Sequence, residues 1–108
     1  MPQLIFKNVT KENYVKLAKP ISERVAAIID VPVDYIVAEY SGATFIRGGE
    51  VDEHSAMVWI SWKKRTPEMQ AEVAEAIADE LFRAGYDPVE VVYDNLDMND
   101  FYEFKKKE

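Results

Sequence analysis

The residue pattern describes a two-layer α/β fold, in which duplicated β-α-β units form a four-stranded mixed sheet with two helices on one face. Two observations point there. Apolar runs and helical stripes alternate in the order strand, helix, strand, twice over. A gapless shift of 56 residues then lays the second half on the first, bringing Thr10 onto Thr66, Glu12 onto Glu68, Ile21 onto Ile77, Val25 onto Leu81 and Pro32 onto Pro88. Helix caps, core positions and helix breakers agree under one offset, the signature of an internal repeat. The 108 residues read as a single domain, 1–108, with pseudo-repeats at about 2–42 and 57–98.

Taken in order, Leu4, Ile5 and Phe6 form a short apolar run, a strand ending near Lys7. Thr10 stands at the N-cap of the first helix, where its hydroxyl can accept a bond from a first-turn amide. Tyr14, Leu17, Ala18, Ile21, Val25, Ile28 and Ile29 then mark one buried helical face. Pro20 removes the amide that would bond Lys16, so a bend is expected there. Pro32 ends the helix by pushing Val31 away from helical angles. Residues 35–40 are the second strand, and 41–55 a glycine-containing loop with a short extended piece around Phe45. Ala56 to Trp62 is the clearest strand of the chain. Thr66 followed by Pro67 starts the second helix as N-cap and first position. Met69, Val73, Ile77, Leu81 and Ala84 give it an apolar stripe, and Gly85 stops it. Val89 to Tyr93 is the fourth strand, and a tail of acids, aromatics and a lysine run follows.

Right-handed crossovers make the two strands of each unit parallel, and a pseudo-twofold axis makes the first and third strands antiparallel neighbours. The strands are apolar at nearly every position. Met57, Val58, Trp59 and Ile60 cannot all face the helices, since neighbours on a strand point to opposite sides. The second sheet face is therefore expected to be an exposed apolar patch that another subunit covers.

Composition excludes several functions. No run approaches the ~20 apolar residues of a membrane helix. The start, MPQLIFKNVTKEN, lacks a basic region before its apolar stretch, so no secretory signal is expected and the location expected is cytoplasmic. The absence of cysteine removes disulfides, thiolate catalysis and Cys-ligated zinc, and the single histidine, His54, removes a multi-histidine metal site. A net charge of −7 argues against nucleic acid as partner.

Pro2 directly after the initiator methionine, the repeated β-α-β, and the loop EYSGATFIRGGE with its Phe-x-x-Gly-Gly-Glu resemble the tautomerase superfamily of oxalocrotonate tautomerase and macrophage migration inhibitory factor. Asp97-Met98-Asn99 after the fourth strand is similar to the corresponding segment of the cytokine member. The branch most similar is a group of small bacterial proteins known as a domain of unknown function. The resemblance implies a homotrimer whose three sheets close a barrel with the helices outside. It implies no cofactor and no metal. It also implies an isomerase in which Pro2, freed by methionine removal, is the general base for enol–keto proton transfer on a small carbonyl or carboxylate substrate.

The chemistry is consistent with the residues. A free α-amino group titrates near ~8, and burial or nearby cations lower it toward a usable base. Equally, Pro2 can simply open an edge strand, where its missing N–H does no harm. The end of the third strand carries Lys63, Lys64 and Arg65, which can hold a substrate carboxylate beside Pro2 or form a solvated strand end. Alternation prevents Lys63 and Lys64 from pointing the same way. Arg47 in the glycine loop can reach a neighbouring subunit's pocket or stay solvated.

Two departures bear on the substrate: Val9 stands where the bacterial enzymes carry an arginine, and Asp30 and Val31 where the cytokine member has a lysine. His54 reads as an exposed loop residue. Asp94, Asp97 and Asp100 lack calcium-loop spacing and read as solvated or capping, and Trp59 and Trp62 fall on opposite faces of one strand. Besides the isomerase, two functions stand open: a non-catalytic oligomeric binding or signalling protein of the same fold, and a ferredoxin-like regulatory module. The fifteen-residue connection 41–55 speaks against the last.

Overall fold

A computed structural model describes residues 2–107. The main sheet contains β1 (Gln3–Lys7), β2 (Val37–Tyr40), β5 (Ala56–Lys63) and β6 (Val89–Leu96), in the order β2-β1-β5-β6. The hairpin of β3 (Phe45–Arg47) and β4 (Glu50–Asp52) lies between β2 and β5 in sequence, and α1 (Lys11–Ile29) and α2 (Pro67–Arg83) cover one sheet face. β1 pairs with β2 and β5 with β6 in parallel, while β1 and β5 are antiparallel from Gln3↔Ser61 to Lys7↔Met57. Each β-α-β unit therefore pairs its own two strands directly, unlike the split arrangement of a ferredoxin-like domain.

Side-chain alternation divides the sheet into two layers. Leu4 and Phe6 on β1 and Ala56, Val58, Ile60 and Trp62 on β5 face the helices at 0% exposure. They meet Leu17, Ile21, Val25 and Ile29 of α1 and Val73, Ile77 and Leu81 of α2. The opposite face carries Ile5, Met57, Trp59 and Val92, half-buried, with Lys7, Glu39 and Glu90 among them. The Lys7 ammonium sits 5.0 Å above the Trp59 ring, and Gln3 donates to the Glu39 carboxylate at 2.7 Å. This corrects the expectation of an apolar patch: the face is mixed, because polar residues occupy alternate places on β2 and β6. Trp59 and Trp62 do fall on opposite sides.

Local signals set the boundaries. Thr10 and Thr66 hold nearly the same extended backbone, φ −66° and −64°, and each hydroxyl accepts from the amide three residues on. α1 passes through Pro20 and closes on Asp30, whose left-handed φ of 56° turns its amide back to the Ala26 carbonyl. The expected second strand began at Tyr35, but Val33–Tyr35 form a 3-10 turn held by Tyr35 N to Pro32 O and Ile36 N to Val33 O, both 3.0 Å. β2 accordingly starts at Val37. The fourth strand is longer than expected and continues to Leu96, because β5 offers partners up to Lys63. The loop 41–55 contains the β3–β4 hairpin, whose Gly48 and Gly49 take positive φ of 59° and 83°, a two-residue turn that side chains disfavour.

The two caps have the same geometry and so the same expected worth. Thr10→Ala and Thr66→Ala should each lower the unfolding free energy by about 1 kcal/mol. Urea titration of the two variants checks this, and a cost confined to one helix would contradict it.

Candidate functional site

The antiparallel pairing of β1 and β5 brings the start of one strand to the end of the other. Pro2 lies at this end, its ring fully buried and its carbonyl accepting from Val37 N at 3.0 Å. Extending the ladder beyond Gln3↔Ser61 sets Pro2 opposite Trp62, and the basic segment 63–65 follows directly. Met1, whose removal the proline chemistry needs, lies outside the described residues.

The cations differ in how they are held. Lys63 and Lys64 are exposed. Arg65 is half-buried: its guanidinium donates to the Lys63 carbonyl at 2.8 Å and lies 4.9 Å from the Trp62 ring centre. Burial lowers its pKa from the usual arginine range. Trp62 is itself fixed, stacked on Tyr93 at 4.6 Å and donating through Nε1 to the Asn95 amide oxygen at 2.9 Å. The Tyr93 hydroxyl donates to the Gln70 carbonyl at 2.6 Å, and burial pushes its pKa up to about 12. A chain of packed rings thus runs from the start of α2 to Arg65. At this end Arg65 is held by packing and a hydrogen bond, while Lys63 and Lys64 are exposed.

Arg47 is elsewhere. It sits on β3, its Nε donating to Asp52 at 2.8 Å and its NH2 lying 3.9 Å from Glu90, at the start of β6. Within one chain it is not brought to Pro2. His54 is exposed, its amide donating to Asp52 and its carbonyl accepting from Asp87. Asp97 caps a 3-10 turn, Met98–Asp100, by accepting from Asn99 N. Among the described residues no group of three or more acids or histidines is placed to hold a metal ion.

A second polar cluster went unread in the sequence. Asn8, at a left-handed φ of 63°, donates to the Asp52 and Ser55 carbonyls and accepts from Phe45 N. Asp52 accepts from the Ser55 hydroxyl at 2.6 Å, from the amides of His54 and Ser55, and from Arg47. These bonds, the Ser55 hydroxyl first, hold the Asp52 carboxyl well below the usual carboxylate range. The cluster anchors the hairpin to the end of β1. The local signal was Asp52 three residues before Ser55, the spacing of a side-chain-capped turn. Beside it lies a cleft of about 640 Å3, bordered by Tyr40, Thr44, Val51, Glu53 and the buried Tyr86. The Tyr86 hydroxyl accepts there from Thr10 N and the Asn13 amide.

A family model described as a domain of unknown function, DUF1904, matches residues 1–107. The chain belongs to the DUF1904 family. No curated protein matches it in sequence. A DUF1904 crystal structure from Sebaldella termitidis is similar over 95% of both chains, with 22% identity and a TM-score of 0.87. A structure described as a fused wild-type 4-OT symmetric trimer shares 24% identity over 93% of this chain and 88% of that one, with a TM-score of 0.73. The macrophage migration inhibitory factor of Toxoplasma gondii shares 16% identity over 97% and 96%, with a TM-score of 0.72. This DUF1904 chain therefore has the tautomerase-superfamily fold.

The acid response of the DUF1904 chain should follow from Asp52. Its folded pKa is depressed, so the stabilisation is complete above the unfolded value of about 4 and is lost as pH falls through the folded one. Asp52→Asn should flatten the fall of Tm below about pH 4. Thermal melts followed by circular dichroism across that range test it, and parallel curves for variant and parent would argue against the assignment.

Proposed function

We propose that the protein is a cofactor-independent tautomerase-like isomerase, in which Pro2 with its methionine removed is the general base for enol–keto proton transfer on a small carbonyl acid. The observation that supports this reading is the register of β1 and β5, which puts Pro2 and the segment Lys63, Lys64 and Arg65 at the same end of the sheet in a tautomerase-like fold. A secondary amine at the edge of an apolar core is desolvated, which disfavours its ammonium form and leaves it able to take a proton. Arg65, pinned over Trp62, is suited to orient a carboxylate, and Lys63 and Lys64 to neutralise it. Arg47 serves the same ligand only if a neighbouring subunit presents it. We place the protein as a homotrimer, supported by the symmetric trimer among the structures it resembles. No helix among the described residues is long and apolar enough to cross a membrane, and the reading needs neither membrane nor nucleic acid.

A non-catalytic binding role in the same assembly is the second reading. It draws on the full burial of the Pro2 ring and on Val9, which replaces the cation expected from the resemblance.

An enol–keto assay on a phenylpyruvate-type substrate separates the two. Pro2→Ala should reduce kcat/KM by about a hundredfold or more, the usual worth of a positioned proton-transfer group. Lys64→Ala and Arg65→Ala should mainly raise KM. Mass spectrometry of the intact parent should find the chain starting at Pro2. Equal rates in parent and Pro2→Ala would remove the isomerase and leave the binding role.

A further inference from the structure

Beyond β6 the chain turns through Met98–Asp100 and runs extended from Phe101, at φ −114° and ψ 125°. Alternation gives this tail two faces. Phe101, Glu103 and Lys105 border a cleft against Asp34, Tyr35 and Val37 of their own chain. Tyr102 and Phe104 point the other way, 75% and 90% exposed, their rings stacked on one another at 6.4 Å. Two adjacent aromatics so fully in water are an unpartnered apolar surface. Lys105, Lys106 and Lys107 follow them in a chain whose net charge is −7.

The β3–β4 hairpin is the complementary surface. Ile46 and Val51 face each other across its ladder, 61% and 57% exposed. Val51 also borders the 640 Å3 cleft with Tyr40, Glu53 and Asp52. Glu50 and Glu53 flank the apolar pair. Among the described residues the hairpin has two strands, and Asn8 engages Phe45 N and the Asp52 carbonyl at its base.

We infer that the C-terminal segment Tyr102–Lys107 of one copy docks on the β3–β4 hairpin of a second copy, Tyr102 and Phe104 covering Ile46 and Val51 while the lysines meet Glu50 and Glu53. The donor and acceptor patches are different, so the contact can repeat head-to-tail, and it closes on itself when the rotation between copies is that of the trimer proposed above. This rests on the trimeric assembly proposed above, but not on any role for Pro2.

Because the chain has no cysteine, engineered pairs report the contact directly. Phe104→Cys and Val51→Cys chains, co-expressed and mildly oxidised, should give a disulfide-linked dimer on a non-reducing gel. Phe104→Cys paired with Lys19→Cys on the outside of α1 should not. Light scattering of the full chain should give a trimer. Removal of residues 102–108, or Tyr102→Ala with Phe104→Ala, should move its dissociation at least tenfold to higher concentration while the circular dichroism of the folded chain is kept. Replacing the three lysines by glutamate should weaken assembly likewise, and Glu50→Lys with Glu53→Lys should restore it. A truncated chain that remains trimeric at the same dilution overturns the tail contact and leaves the trimer standing. A full chain that is monomeric throughout overturns both, and a bond formed equally well with the α1 control overturns the docking site. Activity enters none of these readouts, so failure of the proline chemistry would be seen separately.

Discussion

Everything in this molecule is organised by one short ladder, the five antiparallel pairs between β1 and β5. Among the described residues it is the only strand pairing that joins the two β-α-β units. Its helix-facing side chains, Leu4 and Phe6 against Ile60 and Val58, are completely removed from water. Each such side chain contributes roughly 1.5–3 kcal/mol of transfer free energy, so the seam between the units is also the centre of the core. The same antiparallel sense decides where chemistry can occur. It returns the end of β5 to the start of β1, which is why a proline next to the initiator methionine shares an end of the sheet with cations sixty residues away. A parallel pairing would have sent Lys63, Lys64 and Arg65 to the opposite end.

The two units solve equivalent packing problems with different residues. Phe6 lies beside Tyr40 across the β1–β2 ladder, as Trp62 lies beside Asn95 across β5–β6. In the first unit the contact is aromatic, Phe6 edge-on to Tyr14 at 5.3 Å and Tyr14 against Tyr40 at 5.7 Å. In the second, the larger indole needs its N–H satisfied, and Asn95 supplies the acceptor. That exchange has a consequence at the candidate site. Trp62 is oriented by a hydrogen bond as well as by packing, and its ring is the platform on which Arg65 lies. The polar partner on β6 thus helps determine where a positive charge stands beside Pro2.

Much of this was legible in the residues, and the misses share a cause. Helix starts were readable because a threonine cap acts within three residues, and the alternation of β5 followed from a pleat that needs no tertiary information. The repeat at 56 residues anticipated the central pairing but not its outer strands. Gln3 pairs with Val37 while Trp59 pairs with Val92, one residue short of the partner a strict repeat would give. The 3-10 turn at Val33–Tyr35, which the second unit lacks, takes up the difference. Nothing local marks Val33-Asp34-Tyr35 as a turn, since valine and tyrosine favour strands and the competing preference comes from the path of the chain. Pro2 and the basic segment were legible through topology. The Asn8–Asp52–Ser55 cluster was not, because the bonds of Asn8 join residues 37 to 47 positions apart and no local pattern announces them.

The two ends of the sheet are built differently, and the difference has a physical reason. At the Pro2 end the side chains that matter are few and held by packing: a buried ring, a guanidinium laid on an indole, and two exposed ammonium groups. Such a place suits a small anion, which needs charge and exclusion of water more than area. At the other end a two-stranded hairpin projects from the body, held mainly by the Asn8 and Asp52 hydrogen bonds. A hairpin of that size is marginal by itself, and its apolar pair Ile46 and Val51 is more than half exposed. Hydrogen bonding fixes its base, so the exposed pair Ile46 and Val51 is presented in one orientation instead of collapsing onto the core. A surface held rigid and left apolar is suited to macromolecular contact, because little conformational entropy is lost when it is covered. On the two proposals above, the contact surface can vary without disturbing the residues around Pro2, because the two lie at opposite ends of β1.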